Sequence, residues 1–201
     1  MKRVQRLVIL GGGTAGWMTA AAMSATFGDL VKISILESDA IGSIGVGEAT
    51  TRIASLDDAA AMSRVLREII AHTGRERPND EAFVTRQYVA NPASIRCTVA
   101  IDDEGNVIGF QSLVRAEADN RYDVPAGWGI IGTHISPRAH RQGVGSALFR
   151  SSREAAEEAG LEKIDAYIGA HNLSGLRYYE AMGFQTYRAP EGIVQKVYTV
   201  G

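Results

Sequence analysis

Short apolar runs alternate with segments of helical periodicity along most of this chain, and the switch between the two periods predicts its elements. Residues 5–10, Val31–Leu36 and Gly129–Ile135 are nearly continuous apolar stretches that read as strands buried on both faces. SIRCTVAI, from residue 94, alternates instead and reads with 107–116 as a hairpin closed by Asp102-Asp103-Glu104-Gly105-Asn106. Further strands fit 52–55, 163–169 and 193–200. Helical periodicity is expected over 17–27, from Leu56-Asp57-Asp58 through about Ile70, over 81–89, over 146–159 with Gly160 as its C-terminal stop, and after Asn172. Strands interleaved with helices and one clear hairpin predict an α/β (α+β) chain with a mixed sheet, without internal repeats.

Composition narrows the function classes. The chain has 201 residues and a formal net charge of −2, with no clustered basic patch, so a nucleic-acid partner is not expected. No apolar stretch reaches the length of a membrane span, and the run after Lys2-Arg3 breaks at Gly11, so neither membrane insertion nor a signal peptide is expected. Cys97 is the only cysteine. It cannot form an intramolecular disulfide and reads as a packed core thiol, which suits a reducing, cytoplasmic setting. His140 and His171 have no carboxylate or thiol pattern around them, so no metal site is expected.

The chemistry concentrates in His140-Arg141-Gln142-Gly143-Val144-Gly145-Ser146, where the strand ending before Pro137 turns into a helix. Glycines there let consecutive amides converge at a helix N-terminus, which is a cradle for a phosphate or pyrophosphate. No Lys-Ser or Lys-Thr pair follows, which excludes a P-loop, and there is no third glycine at Ala147 or Leu148 for a dinucleotide fingerprint. The segment resembles motif A of the GNAT superfamily of N-acetyltransferases, Gln/Arg-x-x-Gly-x-Gly/Ala, with His140 in the place of the usual Gln or Arg. Asn172-Leu-Ser-Gly-Leu-Arg-Tyr-Tyr179-Glu-Ala-Met-Gly-Phe184 is similar to a second motif of that family, at ordinary separation.

The resemblance covers residues 52–201 and implies a GNAT fold, a mixed and mostly antiparallel twisted sheet flanked by helices, acting as an N-acetyltransferase on a primary amine. It implies acetyl-coenzyme A (acetyl-CoA) as substrate. The pantetheine arm would run along Thr133, His134 and Ile135, and the pyrophosphate would sit on the amides of Arg141, Gln142, Gly143, Val144, Gly145 and Ser146, with Arg141 adding charge. Asn172 would contact the pantetheine, and Tyr179 would be the catalytic residue that protonates the thiolate. Glu117 and His134 are the titratable candidates for a general base. The acceptor, a small-molecule or peptide amine, is expected near residues 73–80 and the 118–127 turn. Relatives that acetylate protein amino termini carry Glu where this chain has Tyr167, which lowers that reading. A coenzyme-A-binding module without turnover is the alternative.

Residues 1–50 carry a different pattern. Gly11-x-Gly13-x-x-Gly16 lies between two apolar runs, and the second run ends at Glu37, the arrangement of a dinucleotide-binding βαβ unit. With GWM at 16–18 and GVGEAT at 45–50, this segment resembles the amino-terminal FAD-binding βαβ segment of flavin-dependent tryptophan halogenases. Neither the catalytic lysine segment nor the Trp-x-Trp-x-Ile-Pro signature of that family follows. The division expected is a truncated Rossmann-like βαβ fragment over 1–50 and an acetyltransferase domain over 51–201, with FAD binding not expected. A halogenase-like flavoprotein is the remaining alternative. The fragment's exposed strand edges leave open pairing with another copy, a homodimer.

Overall fold

The computed structural model describes residues 6–10, 22–23, 25–26, 32–36, 49–139 and 142–201, and the chain divides into the units Met1–Glu48 and Ala49–Gly201. In the first unit, β1 (Arg6–Leu10) pairs in parallel with β2 (Lys32–Leu36), from Arg6 against Lys32 to Leu10 against Leu36. Residues 22–23 and 25–26 between them are helical, and Thr26 Oγ1 donates to the Ala22 carbonyl at 2.8 Å. This is the βαβ order the sequence predicts, while Gly11, Gly13, Gly16 and Glu37 lie outside the described residues.

The second unit is built on a sheet of β3 (Thr50–Ile53), β4 (Ser94–Ile101), β5 (Val107–Arg115), β6 (Gly129–Ile135), β7 (Lys163–Gly169), β8 (Gln185–Arg188) and β9 (Ile193–Thr199). Their spatial order is β3-β4-β5-β6-β7-β9-β8, and every neighbouring pair is antiparallel except β6 with β7. The mixed, mostly antiparallel sheet flanked by helices is the fold expected from the sequence. One face is covered by α1 (Ala59–Thr73) and α2 (Glu81–Val84, continuing as a π turn over Thr85–Val89). Met62, Val65, Leu66, Val84 and Tyr88 pack there against Cys97, Val99 and Phe110. Burial pushes the Cys97 thiol up to about 12, so it stays a protonated core group. The opposite face is covered by α3 (Val144–Glu158) and α4 (Leu173–Ala181), where Phe149, Ala155, Ala156, Tyr179 and Phe184 meet Leu113, Ile131 and Ile164.

Two boundaries and one additional strand depart from the sequence reading for local reasons. β3 starts at Thr50 and ends at Ile53, because Ser55 begins a turn in which its amide donates to Asp58 Oδ2 at 2.7 Å, and Arg52 pairs with Asp58 at 2.6 Å. α3 starts at Val144, two residues early, because Gly143 takes φ +72° as its N-cap. β8 was not expected at all. It is a short, largely exposed edge strand of polar alternation, QTYR, with no apolar face to mark it.

Candidate functional site

β6 and β7 are paired only at Gly129 with Ile164 and at Ile130 with Asp165. Beyond these pairs the two strands diverge, leaving a wedge whose β6 wall is Thr133, His134 and Ile135. On its other edge β6 is fully laddered to β5, from Arg115 against Gly129 to Gly109 against Ile135. The backbone groups of β6 that face the wedge therefore have no strand to bond, which is how a sheet accepts an extended ligand.

The same strand leads directly to the glycine turn. Ser136 donates from its amide to the Ile108 carbonyl at 2.9 Å and from its hydroxyl to Glu68 on α1 at 2.6 Å, and Arg138 pairs with the same carboxylate at 2.5 Å. His140 and Arg141 lie outside the described residues; Gln142, exposed, donates from Nε2 to the Arg138 carbonyl at 3.3 Å. The first helical bond of α3 runs from the Ala147 amide to the Gly143 carbonyl at 3.0 Å, and no side chain caps this end. The N–H groups of Gly143, Val144, Gly145 and Ser146 thus precede the helical ladder, with the positive end of the helix dipole behind them.

The two glycines serve different ends. A Cβ on Gly143 would meet nothing within 4 Å, so its requirement is the positive φ. A Cβ on Gly145 would lie 2.5 Å from Tyr178 Cε2, so its requirement is space for the ring. Tyr178 in turn donates to the Gly145 carbonyl at 2.9 Å and fixes the first turn of α3.

Behind the wedge lies a buried polar network. Gln111 on β5, fully buried, donates from Nε2 to Thr133 Oγ1 at 2.7 Å and to the Tyr178 hydroxyl at 3.1 Å, and Thr133 Oγ1 shares a hydrogen with the Tyr179 hydroxyl at 2.8 Å. Burial pushes Tyr178 up to about 12 and holds Tyr179 well above the ordinary tyrosine range, so both phenols keep their protons near neutrality. Asn172 is the N-cap of α4, accepting from the Gly175 amide at 3.1 Å.

His134 projects to the opposite, α1/α2 side of β6. Its ring packs on Phe110 and Tyr88 with centroids 4.7 and 5.4 Å away, and Arg77 Nη1 lies 3.4 Å from Nδ1. Burial, helped by the Arg77 charge, pushes its pKa down to about 3, so the imidazole is neutral. Since a guanidinium can only donate, Nδ1 is the acceptor in this contact and Nε2 carries the hydrogen.

The site's architecture can be set beside known proteins. The chain matches the family model described as the acetyltransferase (GNAT) family over residues 62–184. It belongs to that family. Among solved structures, a GNAT superfamily phosphinothricin acetyltransferase from Sinorhizobium meliloti in complex with acetyl-CoA aligns with a TM-score of 0.63 at 22% identity, over 77% of this chain and 90% of that one. A GNAT N-acetyltransferase from Kribbella flavida aligns at 0.62 and 20% identity, over 75% and 96%. The PaiA N-acetyltransferase of Thermoplasma acidophilum in complex with coenzyme A aligns at 0.59 and 15%, over 76% and 99%. These likenesses show the fold. The amino-terminal part matches the tryptophan halogenase model over residues 6–68. There it is 64% identical over 44 residues to the 7-chloro-L-tryptophan 6-halogenase KtzR of Kutzneria sp. (strain 744), and 56% over 45 residues to the tryptophan 6-halogenase SttH of Streptomyces toxytricini. Each match takes in 22% of this chain, which spans only 8% and 9% of those halogenases.

In this GNAT domain the structure brings Thr133 and Tyr179 into contact, sets Gly143 to Ser146 at the N-terminus of α3, and places Asn172 at a helix cap. His134 stands apart from them on the other face of the strand. Glu117 is exposed just past β5. Gln111, Tyr178 and Asp165 are the polar groups that sequence reading passed over, and only the interruption of apolar strands by Gln111 and Asp165 signalled them. Asp165 is buried, with Oδ2 accepting from the Tyr187 hydroxyl at 2.8 Å and Oδ1 without a partner. Among the described residues no group of His, Cys, Asp and Glu could hold a metal ion, and no helix is long and apolar enough to cross a membrane.

Proposed function

We propose that the Ala49–Gly201 unit transfers the acetyl group of acetyl-CoA to a primary amine of a small molecule or peptide in the cytoplasm, without a nucleic-acid partner. The observation that carries this reading is the succession of β6 and α3: the strand that borders the wedge with unbonded backbone is followed, after a 3-10 turn at Pro137–Ala139, by the uncapped N-terminus of α3. A pantetheine arm lies in the wedge against Thr133, His134 and Ile135, and the pyrophosphate rests on the amides of residues 141–146. In the sequence Arg141 and Gln142 immediately precede Gly143. Asn172 borders the arm from α4.

In the reaction the amine nitrogen attacks the acetyl carbonyl carbon, an N–H of β6 polarises the carbonyl oxygen, and the C–S bond breaks. Tyr179 leaves Thr133 to hand its proton to the departing thiolate, the nitrogen loses a proton to solvent water and the phenolate takes one back from it, giving an N-acetyl amide, free coenzyme A and the restored phenol. The neutral His134, with its hydrogen on Nε2, is not the base in this state.

The test is a thermal shift. Acetyl-CoA at a hundredfold excess over its dissociation constant stabilises the fold by about 2.7 kcal/mol. Gly143→Val puts a branched side chain into the open space of the cradle and abolishes the shift while the domain still unfolds cooperatively. No response of the parent protein to millimolar acetyl-CoA would end this reading. A normal shift without acetyl transfer to any amine would identify a binding module instead.

A further inference from the structure

The mouth of the wedge on the α1/α2 side is held by two arginines of the loop between those helices. Had β6 and β7 stayed paired in the register of Gly129 with Ile164, His134 would face Gly169 across the sheet. At that level each wall carries one guanidinium. Arg75 lies over Gly169, its Nη2 only 2.7 Å from where a Cβ would sit, so glycine at this position is what lets the guanidinium reach the strand. Arg77 lies over His134, with Nη1 3.4 Å from Nδ1 and Nη2 donating to the Tyr88 hydroxyl at 2.6 Å.

Neither guanidinium forms an ion pair among the described residues, in contrast to Arg52 and Arg138. Arg77 spends its donors on a phenol and an imidazole, and among the described residues the Arg75 guanidinium has no hydrogen-bond acceptor. Two like charges set over β7 and β6, with the histidine beneath one of them neutral, leave a positive potential that no ion pair among the described residues balances.

We propose that the acceptor is an amine that also carries an anionic group, of the amino-acid or aminoalkyl-phosphonate class, and that Arg75 and Arg77 hold the anion at the mouth while the amine points into the wedge. This rests on the acetyltransferase reading above and adds the substrate class. Planar donors over the two strands that border the wedge suit a carboxylate or phosphonate, whose oxygens each arginine can engage.

The experiment uses the full-length protein and matched acceptors: L-alanine, L-methionine, L-phenylalanine and 2-aminoethylphosphonate against L-alaninamide, L-methioninamide, L-phenylalaninamide and ethanolamine. Release of coenzyme A from acetyl-CoA is followed, and melting temperature is recorded with each amine in the presence and absence of acetyl-CoA. At least one anionic member exceeds its neutral counterpart about tenfold or more in kcat/KM, as expected for charge-assisted bonds, and its KM rises with salt. Arg75→Gln collapses that ratio through KM, Arg75→Lys restores part of it, and Gly169→Ala, which only displaces the tip of a flexible side chain, lowers it too. Neutral members equal to or better than anionic ones, or a ratio unchanged in Arg75→Gln, overturns the proposal. If no amine is acetylated although acetyl-CoA shifts the melting temperature, the transfer reading fails by itself. The anion proposal then stands on a melting shift from anionic members that Arg75→Gln removes, and falls if no anionic member shifts the melt.

Discussion

Tyr179→Phe separates packing from chemistry, because the structure sets very different sizes for the two effects. The substitution deletes one hydroxyl, 2.8 Å from Thr133 Oγ1, and keeps a ring that is 6% exposed and packed edge-on against Tyr178 and Phe184 at 4.9 and 5.0 Å. Thr133 is not orphaned by the loss, since Gln111 Nε2 still donates to it at 2.7 Å. The stability cost is then that of one neutral hydrogen bond, about 0.5–1.5 kcal/mol. A domain of this kind has about 5–15 kcal/mol in hand, so the variant remains folded and binds acetyl-CoA as the parent does. If the hydroxyl donates to the leaving thiolate, turnover falls by about a hundredfold or more. The assay is steady-state release of coenzyme A with a thiol reagent, to which buried Cys97 is inert, alongside a melting curve with acetyl-CoA. Burial holds the Tyr179 pKa above its ordinary value, so the donor stays protonated throughout the neutral range and its loss is equally severe at pH 6 and pH 9. Tyr178→Phe is the contrast: it frees the Gly145 carbonyl and one Gln111 bond, so it weakens cofactor binding first. Parent-like turnover in Tyr179→Phe, with about 1 kcal/mol of stability lost, would reduce Tyr179 to a packing residue and refute the mechanism.

Two further outcomes follow from the same structure. Burial raises the Asp165 pKa from 3.8 to about 6, so the folded state keeps a proton that the unfolded state gives up, and this group's contribution makes stability fall as pH rises from about 4 to about 6; the opposite contribution of Asp58, lowered to about 2, is lost only as pH falls below about 4. Asp165→Asn keeps an acceptor for Tyr187, removes this decline, worth up to about 3 kcal/mol, and is the more stable protein at pH 7 by urea unfolding, whereas an unchanged pH profile in the variant would sink the assignment. Deleting residues 1–48 leaves the acetyl-CoA thermal shift intact because β3 begins to pair with β4 at Thr50, and the full-length protein shows no flavin absorbance; loss of the shift on truncation, or stoichiometric FAD, would show that the two units are not separable.

The strands around the site were the most legible part of the sequence, and the reason is punctuation. Gly129–Ile135 and Lys163–Gly169 appear with the expected bounds because one is followed by Ser136-Pro137 and the other preceded by Gly160, whose φ of +64° ends a helix. The glycine turn before α3 and the helix that follows Asn172 were legible through spacing. What could not be read is whatever depends on the neighbours of a strand. Gln111 sits in VIGFQSLVR as one polar residue among apolar ones, and only the β5–β6 register, which sets it against Thr133, makes it the hub of a network. Arg75 and Arg77 were hidden in a loop of mixed charge, RERPND, since sequence order does not say which side chains lie over Gly169 and His134.

A glycine turn before a helix occurs twice in this sequence, at Gly11–Gly16 and at Gly143–Gly145, and local chemistry alone would make both of them phosphate sites. What distinguishes the second is the strand that feeds it. Past Ile130, β6 is bonded along one edge and open along the other, so in the proposed reading a ligand anchored by its pyrophosphate on α3 would be led along the strand towards Thr133 and Tyr179, each contact fixing the next. Binding that positions a thioester needs this second dimension, because one anion contact offsets little of the cost of immobilising a large ligand. The first unit has, among its described residues, a single parallel strand pair, and its likeness to the halogenases KtzR and SttH spans 8% and 9% of those proteins. A flavin ring seated there would have to find its walls in segments to which those matches do not extend. The glycine pattern marks where a phosphate can sit, and the open edge of β6 is what turns such a place into a site for chemistry.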